Sequence, residues 1–326
     1  MPEVEVHRFP GDDLQRLEPV FTHFQPKMLI LIEAELWPML LKTAHQKRVP
    51  VFIVNARLTP SAFRRYRLLG QWFSAHLSAI TWVLAQSLPD ADRFHRLGIP
   101  RERIRVVGNL KFDLAGRPRK SLQRKDLGLT PEDFVVVFGS LRSREEDLIL
   151  DALTTFLRPG VKLILAPRHL DRVRPLIQKL QARGWPVRLR QPDPAIPTTE
   201  EAKIVILNTL GELWDVYALG DVAVVGGTFA QYGGHSLLEP AFHGLPVIFG
   251  PYVENVQEVA KGLLQGGGGI QVQNSETLVK VLDHLCRDHE ARKTLGARAR
   301  RFVEQHQGAT RRVLAYLKPW LEHHDR

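Results

Sequence analysis

The sequence predicts an α/β protein of two doubly wound domains, each built on a parallel sheet. Three observations carry this. Short β-rich runs alternate with helical patterns along the whole chain, the runs of the second half are apolar without alternation, and a basic, Gly/Pro-bearing stretch at residues 114–126 interrupts the series midway. A length of 326 residues agrees with about two domains.

In order, residues 4–9 read as a first strand, and the GDD at 11–13 reads as a helix N-cap turn in preference to an acidic metal site. Leu14, Leu17, Val20, Phe21 and Phe24 recur at spacings of three and four, an amphipathic helix. MLILIE (28–33), VPVFIVNA (49–56), ITWVLAQS (80–87) and IRVVGN (104–109) read as the strands of the first domain, residues 1–115. A linker is placed at 116–128 and a second domain at 129–326. Its strands are FVVVFGS (134–140), VKLILAP (161–167), VRLR (187–190), KIVILN (203–208), VAVVGG (222–227) and PVIFGP (246–251). Parallel strands covered on both faces lose their alternation in this way. GGGGI follows Gln265, and terminal helix patterns fill 275–323 with a break near Gly308.

Hydrophobic residues at 44% and charged residues at 25% exclude disordered and fibrous classes. Forty-five Lys and Arg against 35 Asp and Glu give +10 and a pI near 9.9, which favours anionic partners. The basic residues are dispersed, with no zinc-finger or RNA-binding signature, so nucleic acid is not expected. The apolar stretch at 28–41 contains Glu33 and Glu35 and is too short to span a membrane, and no anchor helix is expected. No secretory signal is recognisable, and the single Cys286 reads as a packed thiol, so a cytoplasmic location is expected.

Ligands of open α/β sheets sit at the carboxyl ends of strands, so the loops there hold the candidates. GGTFAQYGGHSLLEP (226–240) combines paired glycines with a helix expected to start near Ser236 and with Glu239, which suits a phosphate and vicinal hydroxyls. Two ordinary tight turns with a helix-start charge are the alternative. APRH brings Arg168, a planar fork for a phosphate, and His169. LGEL (210–213) puts Gly211 and Glu212 at a strand-to-helix junction, where Glu212 could equally complement the helix N-terminus. In the first half, EAELWP (33–38) offers Glu33 and Glu35 for charge stabilisation or acid/base work. NARLTPSAFRRYR (55–67) offers Asn55 and Arg57 at an anion-binding edge, and GNLKFD (108–113) offers Lys111 to neutralise a departing phosphate.

These motifs together resemble the Kdo transferases, the 3-deoxy-D-manno-octulosonic acid transferases of lipopolysaccharide assembly. EAELWP is similar to that family's ETELWP, NARLTPSAFRRY to its NARLS stretch, PRHLDR to PRHPER and GGHSLLEP to GGHNPLEP, while GNLKFD is unaltered. The resemblance implies a GT-B architecture, two Rossmann-like domains facing a cleft. It implies an inverting, metal-independent glycosyltransferase with no cofactor, moving Kdo from CMP-Kdo to a lipid A precursor (lipid IVA) at the cytoplasmic face of the inner membrane of a Gram-negative envelope. On this resemblance Pro167, Arg168 and His169, Leu210, Gly211 and Glu212, and Ser236, Leu237, Leu238 and Glu239 fall on positions that bind the CMP donor. Glu35 and Lys111 fall on transition-state stabilisers, and Glu33, Asn55 and Arg57 lie on the acceptor side.

The sequence also departs from the family pattern. Ser236 and Leu237 replace Asn and Pro, Ala34 replaces Thr, Met39 replaces Asn, and GSLRSREE (139–146) differs from the usual GST-type loop. The family's anchor segment and the glycine-containing loop with its general-base glutamate have no counterpart in residues 1–27, where neither Glu3 nor Glu5 has the right setting. The expectation is therefore a truncated first domain without its general base. Two other readings stay open: a GT-B sugar-nucleotide enzyme acting on another donor, and a catalytically impaired fragment that binds CMP or anionic lipid.

Overall fold

The computed structural model describes residues 4–116, 122–199 and 201–322, and packing divides the chain into two units, Met1–Gly116 with His306–Arg326 and Arg117–Gln305. The first unit holds β1 (Leu29–Ile32), β2 (Val51–Ala56), β3 (Ile80–Ala85) and β4 (Ile104–Val106), parallel and adjacent in that order. Helices α1 (Leu14–Phe24), α2 (Pro38–Gln46), α3 (Pro60–Leu68), α4 (Gly70–Leu77) and α5 (Leu88–Arg96) bury Leu17, Leu41, Phe63, Phe73 and Phe94 in one core with Ile53 and Val83. Local signals start them: Asp13 caps α1, Thr59 caps α3 ahead of Pro60, and Ser87 caps α5. The GDD turn is a capping device twice over. Trp37 gives α2 no side-chain cap, and Asp12 supplies it from a distance, accepting the N–H groups of Leu40 at 2.8 Å and Met39 at 3.1 Å.

Three first-unit expectations change. Residues 4–9 form no strand, and Val4 and Val6 lie exposed. Strand β1, expected to be buried, is the edge strand among the described residues and leaves Ile30 and Ile32 exposed. The last helix, α13 (Ala309–Glu322), belongs with this unit although the sequence groups it with the second domain. Its Val313 and Leu317 cover Phe52, Val54, Leu84 and Val107, the face opposite the main core, and do not reach as far as β1.

Asp113 ties α13 down by accepting the N–H of Gly308 at 2.6 Å and of Thr310 at 2.5 Å. Burial pushes its carboxyl up, but the N–H groups of Thr310 and Gly308 outweigh this and hold it below the usual aspartate range. A lowered folded value means that the stabilisation exists above the unfolded value and disappears as pH falls through the folded one. Asp113→Ala is expected to cost about 1 kcal/mol in urea unfolding at neutral pH. The difference from the parent should vanish in acid.

The second unit is a seven-stranded parallel sheet of β5 (Phe134–Leu141), β6 (Val161–Pro167), β7 (Val187–Leu189), β8 (Ile204–Ile206), β9 (Val222–Val225), β10 (Val247–Phe249) and β11 (Gly269–Gln271), in the order β11-β10-β9-β5-β6-β8-β7. Helices α6 (Glu146–Phe156), α7 (Val173–Gln181), α8 (Leu213–Tyr217), α9 (Leu238–Phe242), α10 (Gln257–Gln265), α11 (Ser275–Arg287) and α12 (His289–His306) complete the chain. Strands β5, β8, β9 and β10 are buried nearly throughout, as their apolar runs require. The unit begins earlier than the sequence suggests. Leu127 and Leu129 sit in its core beside Val135 and Val137, and Arg124 donates to the carbonyls of Thr130, Pro131 and Asp133. Of the expected linker, residues 117–121 lie outside the described residues. Cys286 packs against the core, as expected of a structural thiol. Among the described residues no helix is long and apolar enough to cross a membrane.

Candidate functional site

The second sheet has one switch point. From β5 the chain builds outward through β6 to β8 and β7, then returns to place β9 on the other side of β5 and continues to β10 and β11. Connections leaving β5 and β9 therefore diverge and open a crevice outside their carboxyl ends. Three loops meet that end: residues 140–145 after β5, Arg168 and His169 after β6, and residues 226–237 after β9. A bulge between Gly139 and Leu141, with Ser140 at φ +58°, turns the first loop.

Glu145 holds two of these loops together. It is fully buried, and its carboxylate accepts the backbone N–H of Arg142 at 2.8 Å, Gly227 at 2.7 Å and Phe229 at 3.2 Å. Burial nevertheless pushes its carboxyl above the ordinary glutamate range, against those three N–H groups and the Arg142 charge. The paired glycines have specific reasons. A Cβ on Gly226 would stand 2.6 Å from Glu145 Oε1, and Gly227 has φ +70° with the His235 ring where its Cβ would be.

Around this clamp lies a cationic cluster. The Arg142 guanidinium stacks 4.3 Å from the centroid of Tyr232 and donates to His169 Nε2 at 2.8 Å. The Nε2 atom of His169 is therefore an acceptor, because guanidinium is a donor only. His235 is pushed down to about 4, first by burial and then by the charges of Arg168, Arg142 and His169, so its ring is neutral at physiological pH. Its buried Nε2 has no hydrogen-bond partner. Arg168 and His169 are exposed. Two guanidinium groups, two imidazoles and an aromatic ring thus converge where a phosphate-bearing ligand would enter.

The remaining donor-side candidates separate. Pro167 ends β6 beside this cluster. Glu212 is buried and held by Arg190, at 3.2 Å from Nε, and by the Thr209 hydroxyl at 2.5 Å. Leu210 and Gly211 are exposed in the turn before it. Ser236 is exposed, Leu237 and Leu238 are buried packing residues, and Glu239 is half-buried close enough for its charge to add to the burial that raises the Tyr217 phenol. Helix α9 starts at Leu238, two residues later than the expected start near Ser236, and is only five residues long.

In the first unit the structure joins residues 78 positions apart: Lys111 Nζ lies 3.1 Å from Glu33 Oε1. Glu33 stands at the end of β1 with φ +66°, its N–H donating to Val54 O at 3.0 Å. Asn55, buried and at φ +54°, accepts the Leu110 N–H at 3.0 Å and so fixes the loop that carries Lys111. Arg57 lies just beyond the end of β2. Glu35 does not pair with Lys111; its carboxylate accepts the Trp37 indole N–H at 2.8 Å. Tyr66 packs beneath, donating to Ala34 O at 3.2 Å, its phenol raised by burial and then by the Glu35 charge. Among the described residues no group of three or more His, Cys, Asp or Glu could hold a metal ion.

Sequence reasoning missed Arg142, Glu145, Tyr232 and His235. Arg142 and Glu145 stand in GSLRSREE, a departure from the family pattern, and Tyr232 and His235 stand inside the singled-out GGTFAQYGGHSLLEP loop without being named.

A family model described as 3-deoxy-D-manno-octulosonic-acid transferase (kdotransferase) matches residues 1–114. The chain is 30% identical over 305 residues to the 3-deoxy-D-manno-octulosonic acid transferase of Haemophilus influenzae, and 32% over 303 residues to that of Bordetella pertussis. Each alignment covers 91% of this chain and 70% of the relative. A bifunctional glycosyltransferase/methyltransferase of Fusobacterium nucleatum is 34% identical over 286 residues, 86% of this chain but 44% of that protein. Two solved structures share the fold alone: Anabaena Alr3699/HepE in complex with UDP (TM-score 0.60, 17% identity, 93% of this chain and 81% of that one), and a Listeria monocytogenes structure described as a putative UDP-N-acetylglucosamine 2-epimerase (TM-score 0.64, 13%, 99% and 84%). Both are mixed α/β neighbours of GT-B type. With the motifs in order and two relatives at this identity and coverage, the chain belongs to the 3-deoxy-D-manno-octulosonic acid transferase family, a family of glycosyltransferases.

Proposed function

We propose that the chain carries the machinery for transferring Kdo from CMP-Kdo to a lipid A precursor such as lipid IVA, with the second unit holding the donor and the first unit supplying the charged groups around the reaction. The observation that carries this, given the family, is the cationic cluster at the switch point. CMP-Kdo presents a phosphodiester and a sugar carboxylate, and Arg142, Arg168 and the partnerless Nε2 of neutral His235 match an anion flanked by polar groups. In the reaction an acceptor hydroxyl oxygen bonds to the anomeric carbon and gives up its proton to solvent, the bond from that carbon to the phosphate oxygen breaks so that CMP leaves with the electron pair, and configuration inverts. Within the second unit Arg168 is the cation that balances the departing phosphate, in place of a metal, and Lys111 of the first unit is the transition-state stabiliser that the motifs assign.

The test is calorimetric titration with CMP. Arg168→Ala should weaken CMP binding by about 10- to 100-fold, the cost of losing a hydrogen bond to a charged group. Unchanged affinity would remove Arg168 from the donor site.

A further inference from the structure

Glu145 and Glu146 are consecutive acids, and both are buried, at 0% and 2% exposure. Carboxylates reach that depth only with partners, and these two turn to different ones. Glu145 accepts from the loop after β9, whereas Glu146, the first residue of α6, holds the loop after β6. Its Oε1 accepts from Arg172 Nε at 3.2 Å and Nη2 at 3.1 Å, and its Oε2 accepts from the same Nη2 at 2.9 Å. Lys179 of α7 also reaches Oε2, at 3.1 Å, and pairs with Asp147 at 2.9 Å. Arg172 ends a short 3-10 turn, Leu170–Arg172, that follows directly on Arg168 and His169. Residues 168–171 are all exposed, so burial does little to hold this stretch in place. Polar contacts fix it instead. The Arg168 N–H donates to Leu141 O at 2.8 Å, Arg142 braces the His169 ring, and the Arg172 guanidinium locks the far end onto Glu146.

We infer that Glu146 is a positioning residue for donor binding: through Arg172 it holds the Arg168–His169 stretch in place at one side of the switch point, while Glu145 holds the loop at the other. Stability alone is a poor reason for such a pair, because desolvating the charges offsets much of their attraction. A forked guanidinium–carboxylate contact does fix direction, since its parallel N–H groups must meet the carboxylate oxygens together. The inference rests on the proposed reading of the switch point as the CMP site. With the tether cut, the ligand itself would have to order the stretch that carries Arg168, at a cost of about tenfold in affinity.

A double-mutant cycle, read by calorimetric titration of the whole chain with CMP, tests this. Glu146→Gln keeps the side-chain size but turns an amide donor toward two cations, and should weaken CMP binding about tenfold. In an Arg168→Ala background the same substitution should have little further effect, because the group it positions is gone. A general loss of fold would act in both backgrounds alike. Arg172→Gln should reproduce the Glu146→Gln defect. Lys179→Gln removes the other cation from Glu146 without touching the loop, so CMP affinity should stay at the parental value. Without any ligand, hydrogen exchange over residues 168–172 should quicken in Glu146→Gln and Arg172→Gln but not in Lys179→Gln. Additive losses in the cycle, parental CMP affinity or unchanged exchange in Glu146→Gln, or a Lys179→Gln defect as large as that of Glu146→Gln would overturn the positioning role. Parental CMP affinity in Arg168→Ala would instead overturn the donor-site reading and the inference with it.

Discussion

Lys111→Ala should lower Kdo transfer by about 10²- to 10³-fold in kcat, with little change in the Km for CMP-Kdo. The reasoning begins with placement. Asn55, fixed in an unusual backbone conformation, accepts the Leu110 N–H, and Asn109 accepts the N–H of Lys111 at 2.9 Å, so the loop is pinned on both sides. The ammonium then pairs with Glu33 at 3.1 Å, and both side chains remain partly exposed. An exposed ion pair of this kind contributes little to stability, about 0–1 kcal/mol, so its fixed geometry is better explained by chemistry than by folding. Lys111→Ala should therefore leave the melting temperature nearly unchanged while the rate falls. Glu33→Gln, which frees the ammonium, should move the rate far less. A Lys111→Ala enzyme with parental kcat, measured by release of CMP from CMP-Kdo with lipid IVA, would remove Lys111 from the mechanism.

Glu145→Ala should show the reverse pattern, a loss of fold before a loss of chemistry. Removing a fully buried carboxylate strands the N–H groups of Gly227 and Phe229 among buried atoms, and each unsatisfied donor costs on the order of 1–3 kcal/mol. A total of about 3 kcal/mol corresponds to roughly 10 °C in the melting of a unit of this size. CMP affinity should fall with it, because the two loops that Glu145 joins carry Arg142 and His235. Glu145→Gln should lose less: its amide oxygen can still accept from Gly227 and Arg142, and only the Phe229 N–H faces a donor. The pH dependence has a definite sign. Because the folded carboxyl is raised, its contribution is full below the unfolded value and declines as pH rises through the folded one, so the penalty of Glu145→Ala is greatest in acid. That is opposite to Asp113→Ala. Thermal melting across this range decides both.

What was legible in the sequence follows from local physics. Strands β5, β8, β9 and β10 are covered on both faces, so burial and composition coincide, and all four were placed within a few residues. The cap carried by Asp13 in the GDD turn was equally readable. The errors lie where a distant segment decides. Whether Ile30 and Ile32 are covered depends on how far α13 extends over the sheet, and residues 4–9 alternate like a strand but have no strand beside them. Glu145 carries no local signal because the Gly227 and Phe229 N–H groups that its carboxylate accepts arrive more than eighty residues later. The family motifs name Glu35 and Lys111 together as transition-state stabilisers and put Glu33 on the acceptor side; the structure pairs Lys111 with Glu33 and Glu35 with Trp37. A strand-end carboxylate pair two residues apart does not reveal which member turns toward a lysine seventy-eight positions away.

The most direct test of the account is calorimetric titration of the whole chain with CMP and UDP side by side. A switch-point site built for CMP-Kdo should bind CMP at least about tenfold more tightly than UDP, and CMP affinity should fall when Arg142 and Arg168 are both replaced by Ala. Preferential binding of UDP, or CMP affinity untouched by that double replacement, would contradict it.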